Sequence, residues 1–122
     1  MPQLFIDYSG NIKKLDRKKL MLGVNKALFD TGLVEHEFDI KTRIKKVSNY
    51  LVGFGDNNQA FIFVRLQALS GRTKAQKNTM TSQIVEYLQS FEDYSAKGLQ
   101  IQLCVEFTEM PRDIYKKEYI QK

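Results

Sequence analysis

The sequence predicts an α/β protein of the two-layer α+β type: a four-stranded mixed sheet with two helices on one face. The order strand, helix, strand occurs twice in its 122 residues. When the chain is shifted by about 60 positions, the apolar positions of the two helices coincide: Leu20, Val24, Ala27, Leu28 and Thr31 fall on Met80, Ile84, Tyr87, Leu88 and Phe91. A tandem βαβ repeat puts both helices on one side of the sheet, because such crossovers are right-handed.

The first half begins with an extended run from Leu4 to Tyr8 and a turn at 9–11. Residues from about 14 to 31 carry apolar side chains at helical spacing, and Gly32 stands where a helix would stop. The segment from Ile40 to Val52 then alternates at its start like a strand.

The second half repeats that order. A polar turn at 56–58 precedes a strand from Ala60 to Leu66, which is apolar enough to be central. The turn at 70–72 repeats the Ser-Gly pair of the first half and leads into a helix that runs to about Phe91. The last predicted strand, Leu99 to Phe107, alternates cleanly between apolar and polar residues.

The length predicts a single domain over residues 1–122, with repeat units at about 2–55 and 59–108 and a tail at 109–122. The tail reads as a short amphipathic segment whose apolar side chains need a packing partner. The central strand has apolar residues on both faces, Phe61 and Phe63 against Ile62 and Val64. A sheet with helices on one face only then predicts an oligomer that buries the other face.

Composition limits the function classes. The net charge of +5 favours anionic partners without choosing among them. No apolar stretch is long enough to span a membrane, and Lys13 and Lys14 follow the first apolar run, unlike a signal peptide. A single cysteine, Cys104, excludes an internal disulfide and predicts a cytoplasmic protein with a structural thiol. The one histidine, His36, predicts a solvated loop and no metal site.

A ferredoxin-like RNA-binding module has the same order of elements. The stretch VGFGDNNQAFIFV partly matches the RNA-binding signature, yet residues 56–59 split it. We therefore interpret Gly53–Gly55 as the approach to a hairpin, and Phe61 and Phe63 as core. The first strand offers Phe5 and Tyr8, which lie on opposite faces, whereas stacking on bases needs aromatics on one open face. We expect no nucleic-acid partner.

Four blocks of sequence carry a family resemblance. PQLFIDYSGN resembles an N-terminal motif Pro-His-x-x-x-Glu-x-Ser-x-Asn, and TGL and IKTR follow in order. AFIFVRLQALSGRT resembles a stretch that ends in Gly-Arg-Ser/Thr. These blocks, from Pro2 to about Thr73, resemble the 5-carboxymethyl-2-hydroxymuconate isomerases of the tautomerase superfamily, which also contains 4-oxalocrotonate tautomerase-like and MIF-like proteins.

The resemblance implies a tautomerase/MIF-like fold, a homotrimer, and an isomerase that uses no cofactor. It implies a small anionic substrate, a mono- or dicarboxylate enol, and a place in aromatic compound catabolism. Carried over to this sequence, Pro2 would be the general base, Arg43 and Arg72 the cations that hold substrate carboxylates, and Lys41 an additional cation. The expected activity resembles that of 5-carboxymethyl-2-hydroxymuconate delta-isomerase.

This chemistry suits an N-terminal proline. If Met1 is removed, Pro2 is a free secondary amine, and an α-amine titrates at roughly 7.7–8.0, close to the value wanted in a general base. If Met1 stays, the Pro2 nitrogen is an amide without basicity. Departures from the family motif are Gln3, Asp7 and Phe63, and lysine at 41 cannot form the planar fork of arginine. A non-catalytic oligomer that binds anions on this fold stays an open alternative.

Overall fold

The structure, a computed structural model, describes all residues from 1 to 122. The elements are β1 (Gln3–Ser9), α1 (Arg17–Phe29), a short 3-10 turn (Glu37–Asp39), β2 (Lys41–Val47), β3 (Gln59–Leu69), α2 (Lys74–Ser90) and β4 (Gln100–Met110). The sheet order is β2-β1-β3-β4. β1 pairs parallel with β2 and antiparallel with β3, which pairs parallel with β4. The predicted two helices and four-stranded mixed sheet are confirmed. No helix is long and apolar enough to cross a membrane.

The hydrophobic core lies between the helices and one face of the sheet. Alternate residues of β1 and β3 point into it, so burial alternates along both strands. Each helix contributes three buried residues at helical spacing, which matches the predicted repeat: Leu20, Val24 and Leu28 from α1, and Met80, Ile84 and Leu88 from α2.

The helices are bounded by side-chain caps. α1 begins at Arg17, later than predicted, because Asp16 accepts a hydrogen bond from the Lys19 N–H (3.1 Å) and the chain before it pairs at Lys13 with Ser95. Gly32 follows the helix with φ 75°, the left-handed conformation that glycine adopts without strain. α2 begins after Thr73, which forms a reciprocal capping box with Gln76.

The strands differ from prediction in length. β2 ends at Val47, not near Val52, because its neighbour β1 ends at Ser9 and the last bond between them runs from the Gly10 N–H to the Val47 carbonyl (2.9 Å). β3 and β4 are both longer than predicted, since they pair continuously from Gln59 opposite Gln100 to Leu69 opposite Met110.

The sheet face opposite the helices corrects one prediction. Phe61 and Phe63 are half-buried on that open face and do not belong to the core of the chain. Phe5 shares the face, whereas Tyr8 is buried in the core. Cys104 lies exposed on the same face, so the thiol has no structural role within the core. The strand register decides these positions, because side chains two residues apart share a face.

The tail forms no helix. Ile114, Tyr119 and Ile120 are 70%, 70% and 79% exposed, so the packing partner that their apolar character requires is not within the chain. The tail is instead attached by polar contacts, from Arg112 to Ser70 and from Lys117 to Asp39.

Candidate active site

The candidate site lies at the end of the sheet where β1 and β2 begin and β3 and β4 end. Pro2 precedes β1 and is fully buried. Its carbonyl accepts a hydrogen bond from the Lys41 N–H (3.1 Å), which ties the start of β2 to the N-terminus. Parallel pairing of β1 with β2 therefore brings two of the sequence-predicted residues, Pro2 and Lys41, together.

Arg72 reaches the same end from the turn after β3. Its guanidinium donates to the carbonyls of Leu69 (3.2 Å) and Leu33 (3.1 Å) and is half-buried. Burial lowers the pKa of Arg72, and the nearby Arg112 lowers it further. A guanidinium carries five N–H donors, and two of them are used here, which leaves three without a protein partner.

Lys41 is held beside the N-terminus by its own side chain. Its ammonium donates to the backbone carbonyl of Asp39 (2.6 Å). Burial and then the charge of Lys117 lower the pKa of Lys41, while Asp39 and Tyr119 oppose that shift. The site thus concentrates positive charge in a partly desolvated place, where an anion gains most.

Asp39 and Lys117 form an ion pair that the sequence did not predict. Lys117 Nζ lies 2.9 Å from Asp39 Oδ1, and the Asp39 side chain is only 8% exposed. The hydrogen bond from Lys117 lowers the pKa of Asp39 against the opposing effect of burial. An acidic residue directly before the basic run of β2 was a visible signal for Asp39, but nothing in the sequence pointed to Lys117, which lies 78 positions away.

These charged groups all affect the pKa of the Met1 amine. Burial and then Arg72 lower the pKa of the Met1 amine below its usual value of 8.0. Asp39 raises that pKa, and Lys117 and Lys41 lower it. The arrangement therefore favours the neutral form of the Met1 amine.

Arg43 faces the open side of the sheet. Its guanidinium lies 4.4 Å from the centre of the Phe5 ring, and Arg65 lies at the same distance from that ring. The three residues stand opposite one another on β2, β1 and β3. Arg43 is two residues from Lys41 along one face of β2, and its side chain is engaged with Phe5 rather than with the N-terminus.

A hollow lies at the other end of β1. It measures about 270 Å³ and is bounded by turn residues: Asn11, Tyr50, Leu51, Val52, Gly55, Asp56, Asn57, Asn58, Gln59 and Leu99. Its polar lining is mostly amide side chains, and it contains no cation. We place the candidate site at the Pro2 end, because the N-terminal amine and the cations Arg72, Lys41 and Lys117 converge there.

Similarity to solved structures defines the class as the tautomerase-like fold. A fused 4-OT asymmetric trimer matches with a TM-score of 0.66 and 16% identity, over 93% of this chain and 91% of that chain. A macrophage migration inhibitory factor-like protein from Entamoeba histolytica also matches with a TM-score of 0.66, at 17% identity, over 97% of this chain and 96% of that chain. At such identities the likeness concerns the fold.

The family model of 5-carboxymethyl-2-hydroxymuconate isomerase matches residues 2–122, so the chain belongs to this family. A 5-carboxymethyl-2-hydroxymuconate isomerase from Deinococcus radiodurans R1 is similar in structure, with a TM-score of 0.81 and 20% identity over 96% of this chain and 88% of that chain. No curated protein matches the chain in sequence. Membership of this family supports an isomerase or tautomerase activity.

Proposed function

We propose that this protein is a cofactor-free isomerase that moves a proton between the enol oxygen and a carbon of an unsaturated 2-hydroxy or 2-keto carboxylate. The observation that carries the proposal is the position of Pro2, which is buried at the end of the sheet, with its carbonyl hydrogen-bonded to the Lys41 N–H (3.1 Å). In the chain that keeps Met1, burial and then the charge of Arg72 lower the pKa of the Met1 amine. We expect the same surroundings to act in the same direction on the Pro2 nitrogen once Met1 is removed, as a general base near neutral pH requires. Family membership supports the same class of reaction.

In the proposed mechanism Met1 is removed and the Pro2 nitrogen is the base. The nitrogen takes the proton from the 2-hydroxyl group, the O–H bond breaks, and the electrons move through the conjugated system. The same nitrogen then returns the proton to a carbon, where a C–H bond forms, so atoms and electrons balance without an oxidant. A positioned base contributes roughly 10²–10⁴ in rate.

Cations would hold the substrate and its developing charge. We assign Arg72 and Lys41 to the substrate carboxylate, since three N–H donors of Arg72 are free of protein partners and Lys41 lies beside the N-terminus. Arg43 is the further cation, two residues from Lys41 on the open face. Arginine binds a carboxylate through two parallel hydrogen bonds, and positive charge stabilises an enolate.

A homotrimer is part of the proposal. The open face exposes Phe5, Phe61 and Phe63 in part, and Leu51 and Phe54 stand out at 73% and 104% exposure. Apolar surface of this kind on one sheet face favours contact with further copies. Light scattering should then give three times the chain mass of 14.2 kDa, and a monomer at working concentration would contradict this part of the proposal.

The test uses two forms of one sequence, with and without Met1. The processed form, verified by intact mass, should ketonise a phenylpyruvate- or hydroxymuconate-type enol. The form that keeps Met1, made with the methionine aminopeptidase inhibited, should lose about 10²-fold or more, because its Pro2 nitrogen is an amide. Pro2→Ala in the processed form should also lose activity. Equal rates in all forms would overturn the proposal, and anion binding without turnover would favour a non-catalytic module.

A further inference from the structure

The tail crosses the Pro2 end of the sheet. After β4 ends at Met110, the Arg112 N–H donates to the Ser70 hydroxyl oxygen (3.2 Å) and Arg112 Nε donates to the Ser70 carbonyl (3.1 Å). Lys117 then reaches Asp39, directly before β2. We call residues 111–117 the C-terminal strap. It spans from the end of β3 to the beginning of β2, across the strand that starts after Pro2.

The Asp39 carboxylate is the acidic group at this end. With its side chain 8% exposed, it needs a partner, because a buried unpaired carboxylate is strongly unfavourable. Lys117 donates to it at 2.9 Å, and Lys41 donates to the backbone carbonyl of the same residue at 2.6 Å. The pairing with Lys117 therefore satisfies the carboxylate from the strap side.

The charge of Asp39 matters for the N-terminal amine. In the chain that keeps Met1, four charged groups act on the Met1 amine: Arg72, Lys117 and Lys41 disfavour its protonated form, and Asp39 alone favours it. We expect the same groups to act on the Pro2 nitrogen of the processed chain, because the Pro2 carbonyl accepts a hydrogen bond from the Lys41 N–H (3.1 Å) and Lys41 in turn donates to the Asp39 carbonyl. A carboxylate that bound the ammonium directly would hold the base in its protonated, inactive form. Lys117 opposes this in two ways, since it adds a positive charge and engages the carboxylate.

We propose that Lys117 is a positioning residue of the Pro2 site: its ion pair with Asp39 fastens the C-terminal strap across that end and keeps the carboxylate from acting as the counter-ion of the N-terminal ammonium. The inference rests on the proposed function, because it assigns a consequence for the Pro2 base. It adds a role for the strap that neither the fold nor the family match supplies.

The first test is the pH profile of kcat/KM for enol ketonisation in the processed chain. Lys117→Gln should move the acidic limb to higher pH by about half a unit, which is about a threefold loss of rate on the acidic side. Lys117→Arg keeps the charge and should restore the wild-type profile. Lys116→Gln is the matched control, because Lys116 is its exposed neighbour and has no ion pair; it should change nothing.

The double variant Asp39→Asn with Lys117→Gln separates charge from attachment. It removes one charge of each sign, so the acidic limb should return toward the wild-type position although the strap is released. A double variant whose limb stays shifted like that of Lys117→Gln would overturn the role assigned to Asp39.

The second test does not depend on turnover. Chymotrypsin cleavage after the half-buried Tyr115 reports on attachment of the strap: it should be faster in Lys117→Gln and in the double variant than in wild type, Lys117→Arg or Lys116→Gln. NMR of isotopically labelled proline should show a higher pKa for the Pro2 amine in Lys117→Gln only.

The outcomes separate the two proposals. A processed wild-type chain without activity on any enol would defeat the proposed function. An unchanged amine titration in Lys117→Gln would defeat this inference, even in a fully active enzyme. Faster cleavage with an unchanged titration would reduce Lys117 to a structural attachment and would also overturn the positioning role.

Discussion

The two ends of β1 differ in charge and in shape. At the Pro2 end, Arg72, Lys41 and Lys117 surround an amine and a single buried carboxylate. At the other end, Asn11 donates to the Gln59 carbonyl (2.9 Å) and neutral amides line a hollow of about 270 Å³. This hollow and the concentrated positive charge thus lie at opposite ends of β1.

The two ends of β1 also differ in the chemical groups that they present. The hollow between the turns is lined by amides and one carboxylate, Asp56, and contains no cation that would hold an anionic substrate. The Pro2 end instead brings the N-terminal amine together with three cations, Arg72, Lys41 and Lys117. In the single chain the candidate site is therefore recognised by its charged groups.

Arg72→Ala should give the largest effect. It removes the guanidinium proposed to bind the carboxylate and leaves the Leu33 and Leu69 carbonyls without that donor. We expect a loss of roughly 10²–10³ in kcat/KM for an anionic enol. Arg72→Lys keeps the positive charge but loses the planar pair of donors, so its kcat/KM should lie between those of the wild type and Arg72→Ala. An unchanged kcat/KM in Arg72→Ala would remove Arg72 from the site.

Lys41→Met should have the next largest effect on the kinetics. The variant keeps the length of the side chain and removes a charged donor, and such hydrogen bonds contribute about 1.5–3 kcal/mol. We expect KM for the enol to rise roughly 10- to 100-fold. Lys45→Met is the control on the same face of β2, nearer to the end of the sheet that holds Asn11. Steady-state kinetics should show an unchanged KM for this variant. Equal effects of the two substitutions would mean that the ends do not differ.

Asn11→Ala should act on stability and not on activity. It removes the hydrogen bond to the Gln59 carbonyl, and a bond of this kind contributes about 0.5–1.5 kcal/mol to the free energy of unfolding. Urea denaturation measures that loss, and kcat/KM should equal the wild-type value. A tenfold fall in kcat/KM with an intact fold would move the candidate site to the hollow beside Asn11.

Asp39→Asn should give the smallest effect, visible as a change in acid stability. Lys117 lowers the folded-state pKa of Asp39 below 3.8, so this contribution to stability is present above 3.8 and is lost as the pH falls through the folded value. Between pH 5 and pH 3 the wild type should therefore lose more free energy of unfolding than the variant. Parallel losses in thermal melts at the two pH values would contradict this coupling.

The sequence predicted the helices and strands well, but it predicted less well on which face of the sheet their side chains lie. Helical spacing found both helices, yet the start of α1 depended on Asp16, a cap that the apolar pattern does not register. Alternation found β3, but Phe61 and Phe63 were assigned to the core, since a run that is apolar on both sides does not say which side the helices cover. β2 was predicted too long because its end is set by the neighbour β1.

The candidate site also contains residues that the sequence predicted and residues that it did not. Pro2, Lys41 and Arg72 could be named from the motifs, and the fold brings all three to one end of the sheet. Arg43 was named with them and lies against Phe5 on the open face. The pair of Asp39 and Lys117 could not be named, because 78 positions separate its members and no local pattern links them.

The tandem strand–helix–strand order, and the residues able to supply a base and cations, can be read from the sequence, because periodicity and residue chemistry are local properties of the chain. The folded structure is needed to show which of these residues meet, which sheet face stays open, and that the C-terminal strap crosses the Pro2 end. Those facts depend on strand register and on contacts between distant segments, which only the folded chain brings within hydrogen-bond distance.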